Sequence, residues 1–185
     1  MTYRPPHIDP GSILIDGPHP TLASDEAFAR QCDVKTGRVS GPGGQHRNRV
    51  ETGVFVLHRA TGLEAQATER RSQIENRHMA FARLRVRLAV HARSLTGRDS
   101  HEASALWRSR RSGTTIKVNG SHRDYATILA EALDVVVAHH FDIASAAPLL
   151  GVSMSQLHRL FQKDKEALAY IARGRKAAGL RALRD

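Results

Sequence analysis

The chain has 185 residues, room for one medium domain or one domain with a small helical appendage, and 41% of them are hydrophobic, enough for a true core. Its formal net charge is +10, and only five of its 28 basic residues are lysines; an arginine fork pairs with phosphates and stacks on bases, so this balance points to a nucleic-acid partner. A single cysteine, Cys32, excludes an internal disulfide, and no window approaches the ~18 apolar residues of a membrane span.

Residues 1–20 hold five prolines and read as a flexible N-terminal arm, with an apolar run at Ile13–Ile15 too short for a signal peptide. The expectation is a cytoplasmic monomer without membrane contact, and an aromatic share of 5% predicts a mainly aliphatic core. Ser24-Asp25-Glu26 starts a short helix to about Gln31, its acids facing the positive end of the helix dipole. Cys32–Val39 is a strand, and Val54–Leu57, apolar on both faces, suits a central strand. A turn at Arg59–Gly62 leads to Leu63–Thr68, whose alternation marks a half-buried strand. Ser72 and Glu75 form a capping box for a long helix to about Ser94, with Ile74, Phe81, Leu84, Leu88 and Leu95 as its apolar stripe. Arg70, Arg77, Arg83, Arg85 and Arg87 crowd the remaining surface as a solvated face. The order is that of a compact α+β unit with a mixed or antiparallel sheet and a packed helix, over residues 21–95.

Gly, Ser, Arg and Asp dominate residues 96–121, which read as a linker anchored by Trp107. Residues 122–185 read as an α-helical basic domain. Tyr125, Ile128, Leu129, Ala132, Leu133 and Val136 line one helix face, His139-His140 ends that helix, Asp142 caps the next, and Ser153 with Gln156 makes a second capping box. The run "DIASAAPLLGVSMSQLHRLF" is similar to a helix-turn-helix, although Pro148 falls where the first helix should continue. A three-helix packing module and a DNA reader both fit it. Gly174 and Gly179 are expected to limit the final helix.

The stretch "SGPGGQHRNRVET", residues 40–52, carries the chemistry. It lacks the Gly-Lys-Ser/Thr ending of a phosphate-binding loop and the spacing of a dinucleotide fingerprint. As a plain turn it is over-built, because consecutive glycines lose the most backbone entropy on ordering. A loop that orders only on docking in a crowded site accounts for them. No His-Glu-x-x-His is present, so neither a metal nor a cofactor is expected, and Cys32 reads as a small buried hydrophobe.

With its neighbours, that stretch resembles the catalytic domain of class I peptide chain release factors and the related ribosome-rescue peptidyl-tRNA hydrolases. "SGPGGQHRNRVET" is similar to the family's Ser-Gly-x-Gly-Gly-Gln-x-x-Asn-Lys/Arg run, and "HRATGLEAQATERRSQIENR" to its Pro-Thr-Gly hairpin and Arg-Ser-Gln-x-x-Asn helix start. The resemblance spans residues 24–95. It implies hydrolysis of the ester joining a peptide to its tRNA in the ribosomal peptidyl-transferase centre, with large-subunit rRNA and peptidyl-tRNA as partners. The backbone N–H of Gln45 would stabilise the developing charge, its side-chain amide would select water, and Gly43 and Gly44 would give the backbone the angles it needs. His46, Arg47, Asn48 and Arg49 would contact rRNA, with Arg71 and Gln73 as further contacts. Arg47 departs from the family, where that position is more often small and apolar. Relatives commonly carry a methylated glutamine, which implies a glutamine methyltransferase acting on Gln45.

Stop-codon readers in that family carry a separate anticodon-like domain, which this layout does not accommodate, so the expectation is codon-independent rescue of stalled ribosomes. The alternative is a non-catalytic helix-turn-helix nucleic-acid-binding protein that uses the Gly-Gly-Gln domain as an RNA or ribosome anchor.

Overall fold

A computed structural model describes residues 12–38, 51–94 and 101–183. The described chain divides into two compact units, one of residues Pro20–Leu88 and the other of the residues on either side of it. The division falls inside a long helix, after Leu88.

In the first unit a 3-10 turn at Pro20–Leu22 precedes helix α1, Asp25–Arg30. Ser24 caps α1 by accepting a hydrogen bond from the Ala27 N–H, which satisfies one of the donors a helix start leaves open. Strands β2 (Cys32–Gly37), β3 (Gly53–His58) and β4 (Glu64–Ala67) form an antiparallel sheet in that order, and α2 runs from Gln73 to His91. Val54, Val56 and His58 are buried on one face of β3 while Phe55 stays 38% exposed. The central strand expected from its apolar run is therefore central but one-sided.

Two expectations for α2 change. Its buried stripe is Asn76, Ala80, Leu84 and Leu88, at spacings of four, whereas Ile74 is 69% exposed. Ile74 lies in the first turn, off the line that faces the sheet. Leu84 and Leu88, wholly buried, each contribute about 2 kcal/mol. The arginines of α2 are also not a plain solvated face. Arg83 donates to the Gln66 carbonyl and pairs with Glu69, and Arg87 donates to the Glu64 carbonyl. Both carbonyls belong to β4, an outer strand, so the helix occupies acceptors that would otherwise invite another strand. Arg85 reaches the carbonyls of Thr21 and Ala23 and the Asp25 carboxylate, with its guanidinium 4.0 Å from the centre of the Phe28 ring.

The second unit departs further from expectation. Residues Ile13–Ile15, expected in a flexible arm, form β1, which pairs in parallel with β5, Ala92–Ser94, where the long helix was expected to continue. The stretch expected as a linker holds α3 (Ala105–Arg110) and a hairpin of β6 (Arg111–Ser112) and β7 (Thr115–Ile116). Trp107 on α3 is wholly buried, and its indole N–H donates to the Leu150 carbonyl at 2.8 Å. Helix α4, Tyr125–Ala138, is buried on nearly every side and is the centre of this unit, beyond the single apolar face expected of it. Helices α5 (Ile143–Leu149), α6 (Met154–Phe161) and α7 (Lys165–Ala177) follow. Pro148 is accommodated in the last turn of α5.

The core is mainly aliphatic, as expected, although Trp107, Tyr125, Tyr170, Phe28, Phe141 and Phe161 are among its largest fully buried side chains. Gly174 does not limit α7, which runs on to Ala177; a Cβ there would fall inside the Phe141 ring, so the glycine is a packing requirement. Gly179, at φ +72°, does end it, in the left-handed conformation typical of a helix stop. One buried ion pair, Arg93 on β5 with Asp134 on α4 at 3.0 Å, ties the short parallel ladder to the central helix. Asp134 also accepts from the Ser94 N–H; burial outweighs the pull of Arg93 and pushes its carboxyl up to about 6.

Candidate functional site

Strand β2 ends at Gly37 and β3 begins at Gly53, and these residues are partners in the ladder. The segment between them leaves and re-enters the sheet at one point. Gly43, Gly44, Gln45, His46, Arg47, Asn48 and Arg49 belong to that segment and lie outside the described residues. What the structure describes is the root from which they spring.

The first turn of α2 builds that root. Asn76 is wholly buried; its amide donates to the Thr52 carbonyl at 2.7 Å and the Arg70 carbonyl at 3.0 Å, and accepts from the Arg70 N–H at 3.0 Å. Three bonds from one buried amide hold the incoming end of β3 against the turn before α2. Each unpaired buried group would cost about 1–3 kcal/mol, so the network is a strong local constraint. Gln73 adds a second tie, donating from Nε2 to the Glu51 carbonyl at 2.9 Å. Ser72 Oγ accepts from the Glu75 N–H at 3.4 Å, a loose version of the expected cap. Across the stem Arg38 and Glu51 approach to 3.8 Å, both largely exposed, which adds little stability.

Of the expected RNA contacts, Arg71 and Gln73 are thus at the root. Arg71 is exposed, and Gln73 is exposed with its amide nitrogen tied to the backbone. Asn76 carries the geometry, and although it stands in the quoted Arg-Ser-Gln-x-x-Asn run, no role was assigned to it there. Its signal was available, since a lone amide in a four-spaced buried stripe has to satisfy itself against nearby backbone.

The groups with shifted proton affinity in this unit serve the packing of the sheet and its flanks. Cys32 faces His58 in the ladder, five residues and about 17 Å from the Gly37–Gly53 pair. Burial, and secondarily Arg59, lowers the His58 pKa, while burial pushes the Cys32 thiol up. His58 stacks on Phe28 and bonds Thr61 and Gln31, a satisfied structural histidine. Glu69, pulled down to about 2 by its bond from Arg83, is equally remote from acid–base work. The root offers amides, arginines and backbone groups, suited to positioning rather than proton transfer. Among the described residues no group of three His, Cys, Asp or Glu is placed to hold a metal ion, and no helix is long and apolar enough to cross a membrane.

A model of the RF-1 domain matches residues 27–127, more than half of the chain. Among curated proteins, the chain is 37% identical over 71 residues to peptide chain release factor 1-like, mitochondrial, of Rattus norvegicus, covering 38% of this chain and 19% of that protein. It is 49% identical over 55 residues to peptide chain release factor 1 of Ureaplasma parvum serovar 3, covering 30% and 15%. It is 37% identical over 89 residues to the mitochondrial peptide chain release factor 1 of Homo sapiens, covering 48% and 20%. The match takes in only about a fifth of the length of these relatives. On the family match, the motif run and the sheet–helix unit that presents it, the chain belongs to the class I peptide chain release factor family.

Proposed function

We propose that this chain hydrolyses the ester of peptidyl-tRNA in the ribosomal peptidyl-transferase centre, and that it does so without reading a codon. The observation that carries the reading is a Gly-Gly-Gln segment set between two paired strand ends, inside a family match, and rooted by Asn76 and Gln73. The ester is intrinsically reactive, so positioning and charge stabilisation suffice. In this reading the Gln45 N–H donates to the oxygen on which negative charge develops, worth about 3 kcal/mol of barrier. Gly43 and Gly44 let the backbone aim that donor without a Cβ meeting RNA. The Gln45 amide selects water, and methylation of Gln45 by a glutamine methyltransferase belongs to the same proposal. His46, Arg47, Asn48 and Arg49 contact rRNA in this reading, and Arg71, which is exposed, joins them. In this reading the root fixes the point at which the segment returns to the sheet.

A second reading draws on the α5–turn–α6 arrangement around Gly151, at φ +64°, which has helix-turn-helix order. There the Gly-Gly-Gln unit would be a non-catalytic anchor. Peptide release from ribosomes stalled on truncated mRNA, set beside release on a stop codon, tests both readings. Rescue predicts release on truncated mRNA and none that depends on the codon; release confined to stop codons overturns codon independence, and no release on either supports the anchor.

A further inference from the structure

The fold separates the charges of the second unit by position. Residues 105–123 contain five Lys or Arg and no carboxylate, and residues 143–163 contain two and none, while the chain as a whole carries 18 acids against 28 bases. These two stretches are α3 with the β6–β7 hairpin and its exit, and α5 with α6. The structure sets them side by side. The Ser153 N–H at the start of α6 donates to the Thr114 carbonyl at the hairpin tip at 3.0 Å, and Lys163, just past the end of α6, donates to the Val118 carbonyl. Strand β7 and its continuation therefore lie along α6 from its first turn to its last. Arg111 donates to the Gly151 carbonyl and fastens the hairpin to the turn before α6.

On α6 the buried residues Leu157, Leu160 and Phe161 face inward, which turns Met154, Ser155, His158, Arg159 and Gln162 onto one outer face. Lys117 and Arg159 are exposed, and neither makes a side-chain hydrogen bond or ion pair among the described residues. An open groove of about 740 Å³ runs beside Lys117, lined also by Arg110, Asn119, His122 and Lys163. Asp124, paired with Arg110 at 2.5 Å, offsets one of the lining cations, and Asp164 caps α7, which leaves Lys117 and Lys163 as lining cations outside any ion pair among the described residues.

We infer that the β6–β7 hairpin and the outer face of α6 form one docking surface for the phosphate backbone of a structured RNA. The inference rests on the ribosomal reading for the choice of RNA, and on charge complementarity for the choice of a polyanion. The outer face of α6 offers Arg159 with Ser155, His158 and Gln162 around an exposed Met154, a set whose donors can grip phosphate oxygens. The A-form major groove is too deep and narrow for side chains to read, so phosphates are what a helix face of this kind meets on duplex RNA.

The test is binding of the full chain to a fluorescent RNA hairpin, and to a DNA duplex of the same sequence, at two salt concentrations. The Lys117→Gln/Arg159→Gln variant should bind RNA roughly tenfold or more weakly, with a salt slope shallower by about two. Arg30→Gln/Lys35→Gln removes the same charge from exposed positions of the other unit and should leave affinity and slope as they are. Equal effects of the two pairs, or none from the first, overturn the inference; equal or tighter binding to DNA overturns the assignment to RNA. Because naked RNA is the probe, the outcome is independent of whether the chain releases peptides.

Discussion

The two units set their outward-facing cations in different surroundings. In Pro20–Leu88, Arg59, Arg83, Arg85 and Arg87 reach backbone carbonyls, and three of the four also hold a carboxylate. They clip α2 and α1 to the sheet and its flanks. Around α6, by contrast, Arg159 and Lys117 face outward with no carboxylate in their own segments. A net charge of +10 therefore does not translate into a uniformly RNA-facing surface. In both units part of the charge is structural mortar, as with Arg93, Arg110 and Arg111 of the second, where Lys117 and Arg159 remain exposed to meet an external anion.

The packing differs as much as the charge. Both units bury mainly aliphatic side chains, the first under a one-sided sheet and the second around α4, where five of the six buried aromatic residues among those described also lie. Gly174→Ala should separate the units most sharply, because the new methyl would occupy the place of the Phe141 ring. A loss of about 3 kcal/mol or more is expected, confined to the helical unit. Trp107, the lone tryptophan and a member of that unit, reports it: its fluorescence transition should shift to lower denaturant while amide protection of the sheet is retained.

Asn76→Ala strikes the first unit. It leaves the Thr52 and Arg70 backbone groups without their partner, at about 2–3 kcal/mol. Amide exchange of β3 should accelerate while the Trp107 transition stays in place. Peptide release should fall with it, since the segment carrying Gln45 loses its anchor.

The two units should also answer pH in opposite directions. Asp134 has a folded pKa of about 6, above its ordinary 3.8. Its contribution to stability is present below about 4 and is lost as pH rises through 6. His58 is the reverse, lowered from 6.5 by burial, so its contribution is present above 6.5 and is lost as pH falls through its lower folded value. Between pH 5 and 7.5 the Trp107 transition should weaken by about 1 kcal/mol as pH rises, and Asp134→Asn should flatten that slope. Sheet protection should instead improve over the same range.

How much of this was legible in the sequence follows from where each signal resides. The sheet, α1, α2 and the capped helices of the second unit are local patterns of period two or 3.6, and they stand within a few residues of where the pattern put them. The pairing of Ile13–Ile15 with Ala92–Ser94 joins two three-residue strands far apart in the chain, and a strand that short has no periodicity to detect. Likewise, residues 101–121 are rich in polar and small side chains, and the burial of Trp107, Ile116 and Val118 converts them from an apparent connector into part of a core. Arg85 and Gly174 owe their roles to neighbours remote in sequence, Phe28 and Phe141, which composition does not reveal. The Gly-Gly-Gln run was legible as a motif, and the Asn76 network that roots it was legible only as a polar break in an apolar stripe.

The central claim is that a backbone donor at Gln45, presented by a rooted glycine segment, performs the hydrolysis. Single-turnover peptide release by Gln45→Ala and Gly44→Ala tests it most directly. The account predicts at least a tenfold loss of release in each, the cost of misaiming or mis-selecting around a donor worth about 3 kcal/mol, with ribosome binding retained. Unchanged release in both variants would contradict it.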